Sequence, residues 1–403
     1  MRVTHLTPSG EIGGAECVIL DCIGVGDGWP GAEMSVVTLG PGPFLAAAAR
    51  LGAKGRVVEA PATLTAVGDS FASPVAVVRS LLAAAWTFPA FFRRFSAAVA
   101  AMVPQVIHSH GIKTHVLGAL LPHRAPVVWH LHDYLGMRTV SSRLLNLLAR
   151  RCALAIAVSE SVAQDARRCL PARLPLVVVH NPVDCDRYRP EGPVLDLDSL
   201  SGLPPAPVGT VRIGLPATFA RWKGHDTFLE AIALLAAENV RAYVIGAPVY
   251  RTRGSQWSQA ELTRMVADLG LQARVGFSGL VDDMPAAYRA LDIVVHASTR
   301  PEPFGLVIVE AMASGRAVVV APTGGAAELF VDGEHALAAE SGNAAALAAA
   351  LRRLIADPAG RVELGRRARA HVLESFGRER FAANLRLALS RIQPTGKAAG
   401  VAR

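Results

Sequence analysis

The sequence predicts two α/β domains, each built on a parallel sheet, and two observations carry that expectation. Short β-branched runs alternate with longer Ala/Leu-rich segments on both sides of a stretch rich in Pro, Gly and Asp. The chain also has 403 residues, more than a single core usually supports. Hydrophobic residues make up 51% and charged residues 18%, a balance that builds real cores and leaves little for long disorder.

Taken in order, MRVTHLTPSG runs directly into a strand-like segment. It lacks the basic start, apolar stretch and cleavage site of a signal peptide, so a cytoplasmic location is expected. Gly10 to Glu16, GEIGGAE, follows that strand and opens a helix. Further strands are expected at Met34 to Leu39, Gln105 to His108, Pro126 to His130, Leu154 to Val158 and Leu176 to His180. The apolar run Leu81 to Phe92 falls short of the roughly 20 residues that cross a bilayer. It is read as a buried helix of the first domain, the alternative being a surface patch that touches the inner membrane face.

Asp184 to Thr210 is poor in periodicity and reads as a linker. The alternation then resumes with strands at Val211 to Leu215, Arg241 to Ile245, Arg274 to Phe277, Asp292 to His296 and Ala317 to Ala321. Residues 343–370 read as helices interrupted at Asp357-Pro358, and a last helix from Arg378 to Ile392 closes the fold. The expected boundaries are a first domain over 1–185, a linker over 186–209 and a second domain over 210–376. A closing helix over 377–393, packed back on the first domain, and a loose tail over 394–403 complete the chain.

A net charge of +8 suits polyanions, but the arginines are scattered, so nucleic acid is not an expected partner. Five irregularly spaced cysteines make neither a disulfide framework nor a CxxC zinc site, which fits a reducing compartment.

Strand ends are where parallel sheets present ligand sites, and their polar residues therefore matter most. Arg300 to Glu310, RPEPFGLVIVE, places Glu302 in a Pro-containing loop and Glu310 inside a helix beginning near Gly305. The amides of Phe304, Gly305, Leu306 and Val307 then face outward at a helix N-terminus, where the dipole favours a phosphate. Pro216 to Glu230, PATFARWKGHDTFLE, sets Arg221 and Lys223 around Trp222 ahead of Gly224; two cations at a helix start would neutralise a departing diphosphate. Histidines gather at two strand ends, His108 and His110 in VIHSHG and His130 and His132 in WHLHD. Their alternate spacing leaves three readings open: a zinc site, satisfied structural histidines, or a ligand contact. Two Asp-x-Asp pairs, Asp184/Asp186 and Asp196/Asp198, sit in the linker; with Lys223 and a helix dipole compensating charge, no metal or other cofactor is required.

The two carboxylates, separated by seven residues and embedded in EPFGLVIVEAMASGRAVVVAPTGGAAEL, resemble the family-four group of retaining glycosyltransferases. That group has two Rossmann-like domains with parallel sheets facing across an interdomain cleft, the GT-B fold. The resemblance implies that Glu310 binds the donor's ribose hydroxyls while Glu302 and the amides beside it hold the donor sugar. It implies that Gly13 and Gly14 let the backbone approach the donor phosphates, and that His132 contacts the donor sugar and supports the reacting centre. It also implies that the segment FSGLVDDMPAAY holds the nucleobase through backbone near Leu280 and Val281. The family carries an arginine about five residues before the lysine; here that position is Thr218. The reaction implied is transfer of a hexose-type sugar from a UDP or GDP sugar to a glycan or lipid-linked acceptor, with retained configuration, in surface polysaccharide biosynthesis. Rival readings are a sugar-nucleotide epimerase, a non-catalytic sugar-nucleotide sensor, and a glycoside hydrolase using Glu302 and Glu310 as its acid and nucleophile.

Overall fold

The computed structural model describes residues 1–61, 74–249 and 254–392, with the backbone alone for 74–85. The expected loose tail over 394–403 lies outside the described residues. The chain divides into two compact units, one of Met1–Pro182 together with the residues from Arg378 onward, the other Val183–Gly377.

The first unit carries seven parallel strands: β1 (Arg2–Thr7), β2 (Glu33–Thr38), β3 (Lys54–Val57), β4 (Val106–His110), β5 (Val127–Leu131), β6 (Cys152–Ala157) and β7 (Leu176–Val178). Their order is β3-β2-β1-β4-β5-β6-β7, so the winding direction reverses between β1 and β4. The second unit repeats the plan with β8 (Val211–Pro216), β9 (Val240–Ile245), β10 (Val275–Gly279), β11 (Ile293–His296), β12 (Ala317–Val320) and β13 (Leu337–Ala338). Its order is β10-β9-β8-β11-β12-β13, with the reversal between β8 and β11. Such a reversal is where open parallel sheets bind ligands, outside the carboxyl ends of the strands. The central strands are buried on both faces, which is why they read as continuous apolar runs such as IVVH and AVVV.

Two strands had no advance signal. Strand β3, KGRV, is an edge strand with every residue exposed, so no apolar face marks it. Strand β13 is only two residues long. Asp357 ends one helix (Ala344–Ala356) and caps the next (Pro358–Ser375), its Oδ1 accepting the Gly360 amide at 2.9 Å.

Helix Pro74–Ala101 runs through Pro89, and no helix of the described residues is long and apolar enough to cross a membrane. The reading of 81–92 as a buried helix needs correction where side chains are described: Phe91 is buried, but Trp86 is 91% exposed. A helix with one face against the sheet must present the other, and the run is apolar on both.

The stretch read as a linker belongs to the fabric of the second unit. Its helix Leu197–Leu200 carries Asp198, a buried carboxylate between Arg241 at 2.8 Å and Arg212 at 2.7 Å that also accepts the Tyr243 hydroxyl at 2.6 Å. Asp196 caps that short helix, and Asp184 Oδ1 accepts the amides of Asp186 and Arg187. The Asp-x-Asp pairs therefore serve turn, cap and core. Burial alone would raise the Asp198 pKa, but the Tyr243 hydroxyl, Arg241 and Arg212 outweigh it and hold the carboxyl well below the usual range.

Asp198→Ala leaves the buried Arg241 uncompensated and should cost about 3–5 kcal/mol, read by urea denaturation of the full chain. Because the folded pKa is depressed, the stabilisation is complete above about pH 4 and fades as pH falls below it, so wild type and variant should converge in acid. Parallel losses at pH 7 and in acid would contradict this.

Candidate active site

In the second unit the loops leaving β8 and β11 meet. After β8 the chain makes a single turn (Arg221–Lys223) and swings through Gly224 into helix His225–Ala233. Gly224 has φ 73°, and a Cβ there would lie 2.0 Å from the Ala297 carbonyl oxygen. Only glycine lets the two loops come this close. Lys223 Nζ thereby reaches Glu302 Oε2 at 2.7 Å, with Nζ 4.2 Å from the centre of the Trp222 ring.

Glu302 is 8% exposed and its Oε2 also accepts Ser298 Oγ at 2.9 Å and faces His296 Nε2 at 3.2 Å. Its backbone is pinned as well, its amide to the Thr323 carbonyl and its carbonyl to the Gly325 amide at 2.7 Å. Burial by itself would raise the Glu302 pKa. Lys223 and His296 overturn that and hold the carboxyl below the usual range, so it stays ionised at neutral pH.

Helix Leu306–Ala313 begins four residues later, with Gly305 as its N-cap, φ 105°, and no side chain caps it. The amides of Leu306 and Val307 have no carbonyl a turn earlier within the helix and make an anion-binding end. Phe304 is buried edge-on against Phe376, anchoring the loop. Within the helix Glu310 Oε2 accepts the Tyr288 hydroxyl at 2.8 Å.

The structure thus brings together Lys223, Glu302, Phe304, Gly305, Leu306 and Val307, and places Glu310 one helical turn further on, against Tyr288. It does not bring Arg221 to Glu302. The Arg221 guanidinium pairs with Glu261 at 2.7 Å and lies 3.7 Å from the centre of the Trp257 ring, so its charge is engaged elsewhere. Thr218 is no substitute cation; its Oγ1 is buried without a partner among the described residues. Leu280, 70% exposed, and Val281 follow β10, which β9 separates from β8 in the sheet.

The remaining expected residues belong to the first unit. Gly13 caps helix Gly14–Gly24, and Glu16 reaches back to the Gly13 amide at 3.2 Å and the Thr7 hydroxyl at 3.2 Å. A Cβ on Gly13 would meet only the Glu16 carboxylate, at 3.1 Å. His132 is half-buried just past β5, its Nε2 2.9 Å from His110 Nδ1.

Sequence reasoning missed His296, Ser298 and Tyr288. The first two stand in HAST at the exit of β11, a strand-end polar cluster that the rule used for the other strands would have flagged. Tyr288 had no such signal, because it reaches Glu310 from another helix.

Residues 207–371 match the family described as glycosyl transferases group 1, and residues 27–187 match Glycosyltransferase Family 4. A lipopolysaccharide core biosynthesis mannosyltransferase, LpcC, of Rhizobium leguminosarum is 34% identical over 52% of this chain and 58% of its own length. A D-inositol 3-phosphate glycosyltransferase of Streptomyces bingchenggensis is 33% identical over 57% of this chain and 50% of its own. The chain thus spans only about half the length of these curated relatives. Among solved structures, Anabaena Alr3699/HepE in complex with UDP and glucose superposes with a TM-score of 0.81 at 26% identity, covering 97% of this chain and 100% of that one.

Gly224→Ala should force the Lys223 loop off Ala297 and lower the midpoint of thermal unfolding, while Gly270→Ala, whose Cβ meets open space, should cost only the strain of its positive φ. Equal shifts for the two variants in calorimetry would refute the close approach as the constraint.

Proposed function

This chain belongs to the group 1, family-four glycosyltransferases with the GT-B fold, and from that premise we propose that it transfers a hexose from a nucleoside diphosphate sugar with retention of configuration. The observation that carries the proposal is the convergence of Lys223, Glu302 and an uncapped helix start at the β8/β11 reversal. The donor's diphosphate is assigned to the amides of Gly305 to Val307 and to Lys223. Departure of a nucleoside diphosphate leaves about two to three negative charges, and fixed positive groups there stabilise the transition state.

Glu302 balances Lys223 in the resting site and fixes the position of the ammonium. On the donor it accepts hydroxyl hydrogen bonds from the sugar. Its ionised state argues against a hydrolase in which Glu302 would be the proton-donating acid. Glu310, oriented by Tyr288, is assigned to the ribose. Leu280 and Val281 are assigned to the base, and Gly13, Gly14 and His132 to the donor's phosphates and sugar. Charge compensation by Lys223 and the helix dipole supports metal-independent transfer.

The Anabaena structures with UDP and UDP-glucose support a uridine donor over the GDP sugar that the sequence left as the alternative. A glycan or lipid-linked acceptor and surface polysaccharide biosynthesis are supported by the lipopolysaccharide core relatives. A cytoplasmic site at the inner membrane face suits such an acceptor, and exposed Trp86 supports peripheral contact.

Lys223→Ala should lower kcat/KM for the donor at least tenfold, about 1.4 kcal/mol, with transfer by the wild type persisting in EDTA. Glu310→Ala should chiefly raise the donor KM. Thermal-shift screening should single out one sugar nucleotide, and the product's anomeric NMR signal should match the donor's configuration. An inverted anomer, or Lys223→Ala kinetics equal to wild type, would defeat the assignment.

A further inference from the structure

The first unit buries a file of imidazoles that the proposed chemistry has not used. His5 on β1, His108 and His110 on β4, and His130 on β5 are all buried, and half-buried His132 follows β5. The register sets His5 beside His108 and His110 beside His130, and alternate residues of each strand share one face of the sheet. Asp27 is buried, its Oδ2 hydrogen-bonded to His108 Nδ1 at 3.0 Å and 3.5 Å from His5 Nε2, with which it makes no hydrogen bond. His5 Nδ1 lies 3.0 Å from His110 Nε2, and His110 Nδ1 lies 2.9 Å from His132 Nε2.

We propose that Asp27, acting through His5 and His110, sets the ring tautomer of His132, so that His132 carries its proton on Nε2 and offers an unprotonated Nδ1. A neutral imidazole has one N–H and one lone pair, so each ring passes the direction of its hydrogen bond to the next. The direction is decided at the Asp27 end. The carboxylate hydrogen-bonds His108 and not His5, so it acts on His5 through its charge, which favours the His5 proton on the facing Nε2 over the more distant Nδ1. His5 Nδ1 then accepts from His110 Nε2, and His110 Nδ1 accepts from His132 Nε2. The reverse order would aim a lone pair of His5 at a buried negative charge.

Protonation states agree with this direction. Burial would raise the Asp27 pKa, but His5 and His108 hold it below the usual range. Burial draws His5 down to about 4 and His132 to about 3, and drives His110 well below its ordinary value, so these rings are neutral at pH 7.

The fold is strained to hold the acid in place. Asp27 has φ 49° and ψ 35°, a left-handed conformation that costs a side-chain-bearing residue free energy. The next residue, Gly28, has φ 78°, and a Cβ there would lie 2.4 Å from the Ala382 carbonyl oxygen in the closing helix Arg378–Leu389. That helix packs closely on Gly28, and its Arg386 Nε donates to the Gly28 carbonyl beside Asp27. Asp27, His5 and His110 are positioning residues; only His132 is assigned to the donor.

The tautomer stands on the geometry alone, whereas its use rests on the reading of His132 as a donor-sugar contact. With Nδ1 unprotonated, the ring accepts a sugar hydroxyl's hydrogen bond and cannot donate one.

Long-range proton–nitrogen correlation spectra of the full chain with 15N-labelled histidine test it, with signals assigned by single His→Gln variants. Nε2–H signatures for His5, His110 and His132 are expected at neutral pH. Asp27→Asn, with the fold verified by circular dichroism, should shift His132 toward Nδ1–H and lower transfer kcat at least tenfold with donor KM changing less than twofold. An Nδ1–H signature for His132 in the wild-type chain overturns the proposal whether or not Asp27→Asn folds. So does a stoichiometric zinc ion in protein from metal-replete growth, lost in His110→Ala, because His5, His108 and His110 would then spend their lone pairs on the metal. If His132→Ala transfers normally while the tautomers stand as expected, the donor contact falls and the relay remains.

Discussion

One ion pair organises the second unit's crevice. Lys223 and Glu302 come from loops after different strands, and each would be costly alone: a carboxylate 8% exposed, and an ammonium withdrawn from solvent beside it. Together they are mutually compensated, and Ser298 and His296 satisfy the same carboxylate oxygen. The pair exists because Gly224 lets one loop pass against the Ala297 carbonyl, where any side chain would collide. Backbone permissiveness at one residue thus decides the electrostatics of the crevice.

Both units place their polar chemistry where the winding of a parallel sheet reverses, and they solve the charge problem differently. The second meets solvent with an ammonium, a carboxylate and helix amides. The first buries Asp27 among imidazoles, with the closing helix packed on the neighbouring Gly28. Asp198 is a third arrangement, a buried acid between two arginines that fastens an apparent linker to the sheet. The crevice ends in a helix start that no side chain caps, whereas Asp198 is enclosed by Arg241, Arg212 and Tyr243, which is why Asp198 is read as scaffold and Glu302 as site.

Much of the fold was legible in the residues. The inner strands announced themselves as β-branched runs, and Asp357-Pro358 marked a helix boundary by capping chemistry. Edge strand β3 did not, because with both faces exposed it leaves no apolar pattern. The Pro-rich stretch around Asp198 read as a linker because its one decisive residue is polar, and a buried ion pair has no periodicity.

At the site, local sequence determined what it could: glycines where the backbone must bend, an uncapped helix start at Gly305, and Glu302 and Glu310 eight positions apart in one loop and helix. Tertiary structure alone decided which charges meet. Arg221 and Lys223 are near neighbours in sequence, yet one side chain turns to Glu261 and Trp257 and the other to Glu302. The reason is physical: partners 40 and 79 positions away are brought up by strand order, and no local pattern encodes which oxygen a flexible cation will find.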